Sequence, residues 1–110
     1  GKNYTREDHP RAASQLFASY ARALEVRNLA AIIGAEEITE GDRRYLAFAD
    51  AFENRFVNQD ENEERSIFET LSIGWEVLSL LPAEELIRVS EEELAKHHRF
   101  QPLTGEAHAA

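Results

Sequence analysis

The chain has 110 residues and a formal net charge of -9, with 21 acidic side chains against 12 basic ones. That balance argues against a general nucleic-acid binder, which needs clustered Lys and Arg to neutralise phosphates, and the lack of cysteine rules out disulfides and thiolate zinc sites. No run approaches the roughly 18 apolar residues that a membrane span needs, and a chain of this size buries roughly 65% of its unfolded surface, enough for one core.

Gly1 to Asp8 is polar and lacks the apolar centre of a signal peptide. Gly1-Lys2 with Thr5 does not have the spacing of a phosphate loop, which needs a glycine-rich approach and a Lys followed directly by Ser or Thr. The stretch is expected to be an arm. A chain that opens on Gly1 and contains no methionine reads as a piece of something longer. Asp8-His9-Pro10 suits a helix start, with Asp8 as cap and Pro10 in the first turn, where its missing amide proton costs nothing. The periodicity predicts a first helix from about Pro10 to Ile33, bent near Val26 to Asn28, burying Leu16, Phe17, Tyr20, Leu24, Leu29, Ile32 and Ile33 along one side.

Gly34 closes that helix, because it adopts a positive φ at no steric cost. Thr39 begins the next, with Asp42 placed to complete a reciprocal capping box. The second helix, about Thr39 to Val57, carries Tyr45, Phe48, Ala49, Phe52 and Phe56 on one face and Arg43, Arg44, Asp50, Glu53 and Arg55 largely on the other. The two helices make an antiparallel hairpin with an acidic tip. Asn58 to Glu64 has no apolar residue and reads as a solvated loop.

Ser66 and Glu69 offer another capping box, and Ile67, Leu71, Trp75, Leu78 and Leu81 follow at helical steps as the stripe of a third helix. Gly74 inside it costs about 1 kcal/mol relative to Ala and invites a close crossing, here by the first helix. Pro82 stops the third helix and opens a short fourth, Ala83 to Arg88, with apolar contacts from Leu86 and Ile87. Ser90 and Glu93 cap a last polar helix to about His98. From Gln101 onward there is no periodicity, and disorder is expected. The fold class is therefore all-α: a bundle of four to five helices with a long antiparallel hairpin, an arm over residues 1–8, a helical domain over 9–100 and a tail over 101–110.

Catalytic chemistry finds little support. His9, His97, His98 and His108 lie in the termini or the last helix, and neighbours on a helix point about 100° apart, so His97 and His98 cannot share one metal. They read as surface histidines. The acids Glu36, Glu37 and Glu91 to Glu93 lie in polar runs and read as solvated faces and helix-start charges. Trp75 and the Phe48, Phe52, Phe56 stripe read as core. No catalytic residue, metal ligand or cofactor site is assigned.

Ala31-Ile-Ile-Gly34 with its acidic turn, Asp42-Arg-Arg-Tyr-Leu-Ala-Phe-Ala-Asp50 and Phe52-Glu-Asn-Arg-Phe-Val-Asn-Gln59 resemble the C-terminal region of the non-catalytic B subunit of V-type and archaeal A-type rotary ATPases. Glu64-Arg-Ser-Ile-Phe-Glu-Thr-Leu71, Gly74-Trp-Glu-Val-Leu-Ser-Leu-Leu-Pro82 and Glu84-Glu-Leu-Ile-Arg88 continue the resemblance in the same order, over roughly Thr5 to Arg88. It implies the helical domain of a non-catalytic ring component around a rotating shaft, peripheral to the membrane on the cytoplasmic side. The implied partners are the catalytic A subunit of the ring and the central shaft subunit. The nucleotide-binding core and the arginine that reaches the neighbouring catalytic site would precede this region. The implied rotor contact is Ala35, Glu36, Glu37, Ile38, Thr39, Glu40 and Gly41, with Ile38 as its apolar member. Asn3-Tyr4 and Asp60-Glu61 depart from the family pattern. The competing reading is a free-standing acidic helical module that binds a partner helix. An exposed apolar strip separates the two, because a ring fragment shows one where an evolved monomer covers it. A small hydrolase is a weaker rival, with no nucleophile beside a base.

Overall fold

Four helices account for the regular structure in the computed structural model, which describes residues 8–57 and 67–101. They are α1 (Asp8–Ile33), α2 (Glu40–Phe52), α3 (Ile67–Leu78) and α4 (Glu91–His97), with no strand among the described residues. The expectations for the arm, for the loop Asn58 to Glu64, for the Ser66 cap and for the tail fall outside them. So do those for His9, whose side chain is not described, and for His108.

α1 already includes Asp8, the residue expected to cap it, and its helical bonding runs unbroken through Val26 to Asn28. Its buried face also differs from the expected stripe. The seam is Ala12, Leu16, Ser19, Ala23 and Val26, at alternating steps of four and three, with Gln15 beside it. Phe17 is 67% exposed and Ile32 81%, and Leu24, Leu29 and Ile33 are also exposed. Small side chains let α1 approach α2 and α3 closely, whereas the bulkier ones would hold it away. The polar members of the seam are satisfied in place. Gln15 donates to Ser19 Oγ at 2.9 Å and accepts from the Arg88 amide at 2.7 Å. At about 39 Å by its rise per residue, α1 is much longer than α3, and Leu29, Ile32 and Ile33 in its last two turns stay exposed.

α2 buries Tyr45, Phe48, Ala49 and Phe52, the face its periodicity predicts. The expected single helix to Val57 instead widens into a π-helical turn over Glu53–Val57. Each four-residue step on an α-helix overshoots one face by about 40°, and the wide turn takes part of that back. Phe56 thereby stays closely in line with Phe52, ring centroids 5.3 Å apart.

α3 supplies Leu71, Trp75, Val77 and Leu78 to the core, joined by Leu81 from the turn that follows. α1 crosses it where Gly74 was expected to admit a neighbour: a Cβ at Gly74 would lie 2.9 Å from Leu16 Cδ1. The expected helix Ala83 to Arg88 is only a 3-10 turn, Ala83–Glu85. Leu86 leaves it at φ -103° and ψ 71° to bury its side chain, while Gln15 takes the Arg88 amide that a longer helix would have used. Ile87 is then turned outward, 84% exposed, and gives the core nothing.

Ser90 caps α4 through a complete reciprocal box. The Glu93 amide donates to Ser90 Oγ at 3.1 Å and the Ser90 amide to Glu93 Oε1 at 2.7 Å. Glu93 is not on a solvated face, as its polar neighbours suggested. It is 2% exposed and takes Arg11 Nε at 2.8 Å, fastening the start of α4 to the start of α1. His97 and His98 are likewise half-buried and not free on the surface. His98 Nε2 donates to the Leu81 carbonyl at 2.8 Å, and the His97 ring lies 5.3 Å from Trp75. The Arg99 and Gln101 amides donate to Ser79 Oγ and Ser79 O, which lays this segment along the turn after α3.

The Gly74 contact decides the sign of a substitution there. Overpacking a well-filled core costs about 1–3 kcal/mol, against a helix-propensity gain of about 1 kcal/mol for Gly→Ala. Gly74→Ala is expected to lower stability by at most about 1 kcal/mol, since Leu16 Cδ1 is the end of a flexible side chain, and Gly74→Val by about 2–3 kcal/mol, read by urea unfolding.

Candidate functional site

The tip of the hairpin is built from one backbone choice and one cap. Gly34 donates the last α1 bond, to Ala30 O at 2.9 Å, and then turns to φ 97° and ψ 140°, a region essentially reserved for glycine. It differs from the usual left-handed helix end in ψ, and it throws the chain outward instead of folding it under. Ala35, Glu36 and Glu37 form a 3-10 turn. Thr39 then starts α2, its Oγ1 accepting from the Asp42 amide at 3.1 Å. Only this forward half of the expected box is made. The Asp42 carboxylate, one methylene shorter than Glu, lies instead 3.9 Å from Arg22 on α1.

Ala35, Glu36, Glu37, Thr39, Glu40 and Gly41 are all exposed. Glu36, Glu37 and Glu40 have no ion-pair partner among the described residues. Ile38, expected as the apolar member of the contact, is turned inward at 6% exposed. It directly precedes the N-cap, a position where an apolar side chain fixes the entry of the chain into the helix, and that was the available signal. The apolar groups that do face outward near the tip are Ile32 and Ile33.

The stem behind the tip is held by a cluster that sequence reasoning missed. Glu53 takes Arg27 in both oxygens, Nη1 to Oε2 at 2.8 Å and Nη2 to Oε1 at 3.1 Å, and Tyr20 OH donates to Oε2 at 2.5 Å. Arg27 Nη2 also lies 3.4 Å from Asp50. Glu53 had been placed on the solvent face of α2. It sits at the first residue of the wide turn, where the helix alters its twist. Tyr20 and Arg27 one heptad apart on α1, with Asp50 and Glu53 three apart on α2, were the readable signs. The forked Arg27 pair, and after it the Tyr20 hydroxyl, lower the Glu53 carboxyl to about 2. The same bond to Glu53 raises Tyr20. Across the bundle Tyr45 donates to Glu85 at 2.7 Å, and its hydroxyl is raised by burial first and that bond second.

Among the described residues no group of three or more His, Asp or Glu side chains could hold a metal ion, and no helix is long and apolar enough to cross a membrane. Phe52 and Phe56 also line a 340 Å³ apolar groove with exposed Phe17.

Residues 1–98 match the family model described as the C-terminal domain of V and A type ATP synthase. The chain is 63% identical over 101 residues to the V-type ATP synthase beta chain of Nitrosococcus oceani, covering 92% of this chain and 21% of that one. It is 55% identical over 98 residues to the B subunit of the A-type ATP synthase of Aeropyrum pernix, covering 89% and 21%, and 54% identical over 98 residues to that of Methanopyrus kandleri, covering 89% and 10%. The chain thus spans about a fifth or less of the length of these relatives.

Two outcomes test the stem and the tip. A carboxyl lowered from its ordinary 4.5 to about 2 stabilises the fold fully above the higher value and ceases to do so as pH falls through the lower. Between those two pH values the chain should lose stability more steeply than its Glu53→Gln variant, followed by circular dichroism. Gly34→Ala, with no atom within 4 Å to hinder the new Cβ, should cost about 1–3 kcal/mol of pure backbone strain in urea unfolding.

Proposed function

The chain belongs to the family of C-terminal domains of V- and A-type ATP synthases, and on that premise we propose that it is a mechanical element of the non-catalytic B subunit. In this reading the hairpin tip, Ala35 to Gly41, meets the central shaft and passes the opening and closing of the ring to or from rotation. The domain hydrolyses nothing by itself and works at the membrane periphery, in the cytoplasm. Residues 1–8 connect it to the nucleotide-binding domain, and residues 101–110 form a tail.

The observation that carries this reading is the tip itself. Three carboxylates without ion-pair partners among the described residues stand at the end of two helices clamped through Tyr20, Arg27 and Glu53. A small, mostly electrostatic surface suits a contact that slides and re-engages, because solvent-exposed charges attract without locking. Ile32 and Ile33 take the apolar part that inward-turned Ile38 does not. The outer side of α1, with Phe17 67% exposed and Leu24 also exposed, supports a lateral contact with the catalytic partner in the ring. That uncovered strip favours the ring fragment over the free-standing module.

The test has two arms. Calorimetry of the chain with the coiled-coil shaft and with the catalytic ring component is expected to show binding that weakens as salt rises. Replacing Glu36, Glu37 and Glu40 together by Ala should weaken the shaft complex by about 1–2 kcal/mol, roughly five- to thirtyfold. In the assembled complex the same triple variant should still rotate, because the turn and the two helices that give the tip its shape are retained. Complete loss of torque would defeat the proposal.

A further inference from the structure

The basic residues of this acidic chain are not all used to answer its carboxylates. Between α3 and the segment running from α4 to Gln101 lies a 380 Å³ cleft whose lining includes Trp75, Glu76, Ser79, Lys96, His97 and Arg99. Neither Lys96 nor Arg99 has a carboxylate partner among the described residues. Arg99 Nη1 donates to the carbonyls of His98 at 2.7 Å and Ala95 at 3.2 Å, which fixes its guanidinium without neutralising it. Glu76, the acid on the rim, is drawn the other way, 3.7 Å from Arg55. Trp75 is 2% exposed, yet its indole N–H has no acceptor among the described residues, a deficit that buried donors rarely carry.

We propose that this cleft binds a small oxyanion of the phosphate class, free or as a phosphomonoester. Such a ligand brings negative charge to Lys96 and Arg99 and an acceptor to the side of the indole. Charge-assisted bonds to an oxyanion are about twice as strong as neutral ones, and two cations lining one cleft select for it against neutral ligands. The backbone on that wall is already fixed, since Ser79 holds the Arg99 and Gln101 amides, so little ordering is needed on binding. The site is separate from the hairpin tip, and its failure would leave the rotor reading untouched.

Trp75 is the chain's one tryptophan, so its emission reports on this cleft alone. Titrating the chain with inorganic phosphate at constant ionic strength, chloride replacing phosphate in the control, should give a saturable emission change that chloride does not. A phosphomonoester titrated the same way should also saturate. The exposed pair Lys96→Ala and Arg99→Ala, together, should weaken phosphate binding at least about tenfold with the helical signal unchanged. A non-saturating response, an equal response to chloride, or a double variant that titrates like its parent would overturn the proposal.

Discussion

The close approach of α1 to its neighbours is the constraint on which the other contacts depend. Ala12, Ser19 and Ala23 leave almost nothing between the helices, and Gly74 removes the one Cβ that would meet Leu16. At that separation short polar groups reach across. Gln15 captures the Arg88 amide, Arg11 reaches buried Glu93, and Tyr20 and Arg27 reach Glu53. A wider spacing would cost Gln15 the Arg88 amide and Glu93 the Arg11 guanidinium, and losing a partner inside the core costs more than the bond itself contributes.

The helices, the Gly34 stop, the Thr39 and Ser90 caps and the buried face of α2 could all be read from residue types alone, because each is set by neighbours within four residues. The buried face of α1 could not. Its apolar residues are spread round the helix, and hydrophobicity favours Phe17 and Ile32 while packing favours alanine, so the choice waits on which partner arrives. The same kind of competition shortened the expected helix after Pro82, where burial of Leu86 and the pull of Gln15 outweighed local propensity. At the tip the turn was placed correctly, but the inward direction of Ile38 was not legible, because direction on a short turn depends on what lies beneath it. Glu53, Glu93 and His98 were misread for a related reason. A polar residue in a polar run looks solvated until a long-range partner claims it.

Charge is divided along the same lines. The carboxylates that matter to the fold are each tied to a base or a backbone amide, and those at the tip are left to water. Lys96 and Arg99, on the far side of the bundle chemistry, are left open in turn.

The wide turn at Glu53–Val57 bears on chain length. Phe52 and Phe56 stay closely in line because the backbone there winds more slowly than a regular helix, and Glu53, at its start, is locked to α1. Removing one residue between them would let the turn tighten toward a regular helix and change the angle at which Phe56 meets Phe52 and Gly74. Along this stretch the spacing of residues is as much a part of the fold as their identity.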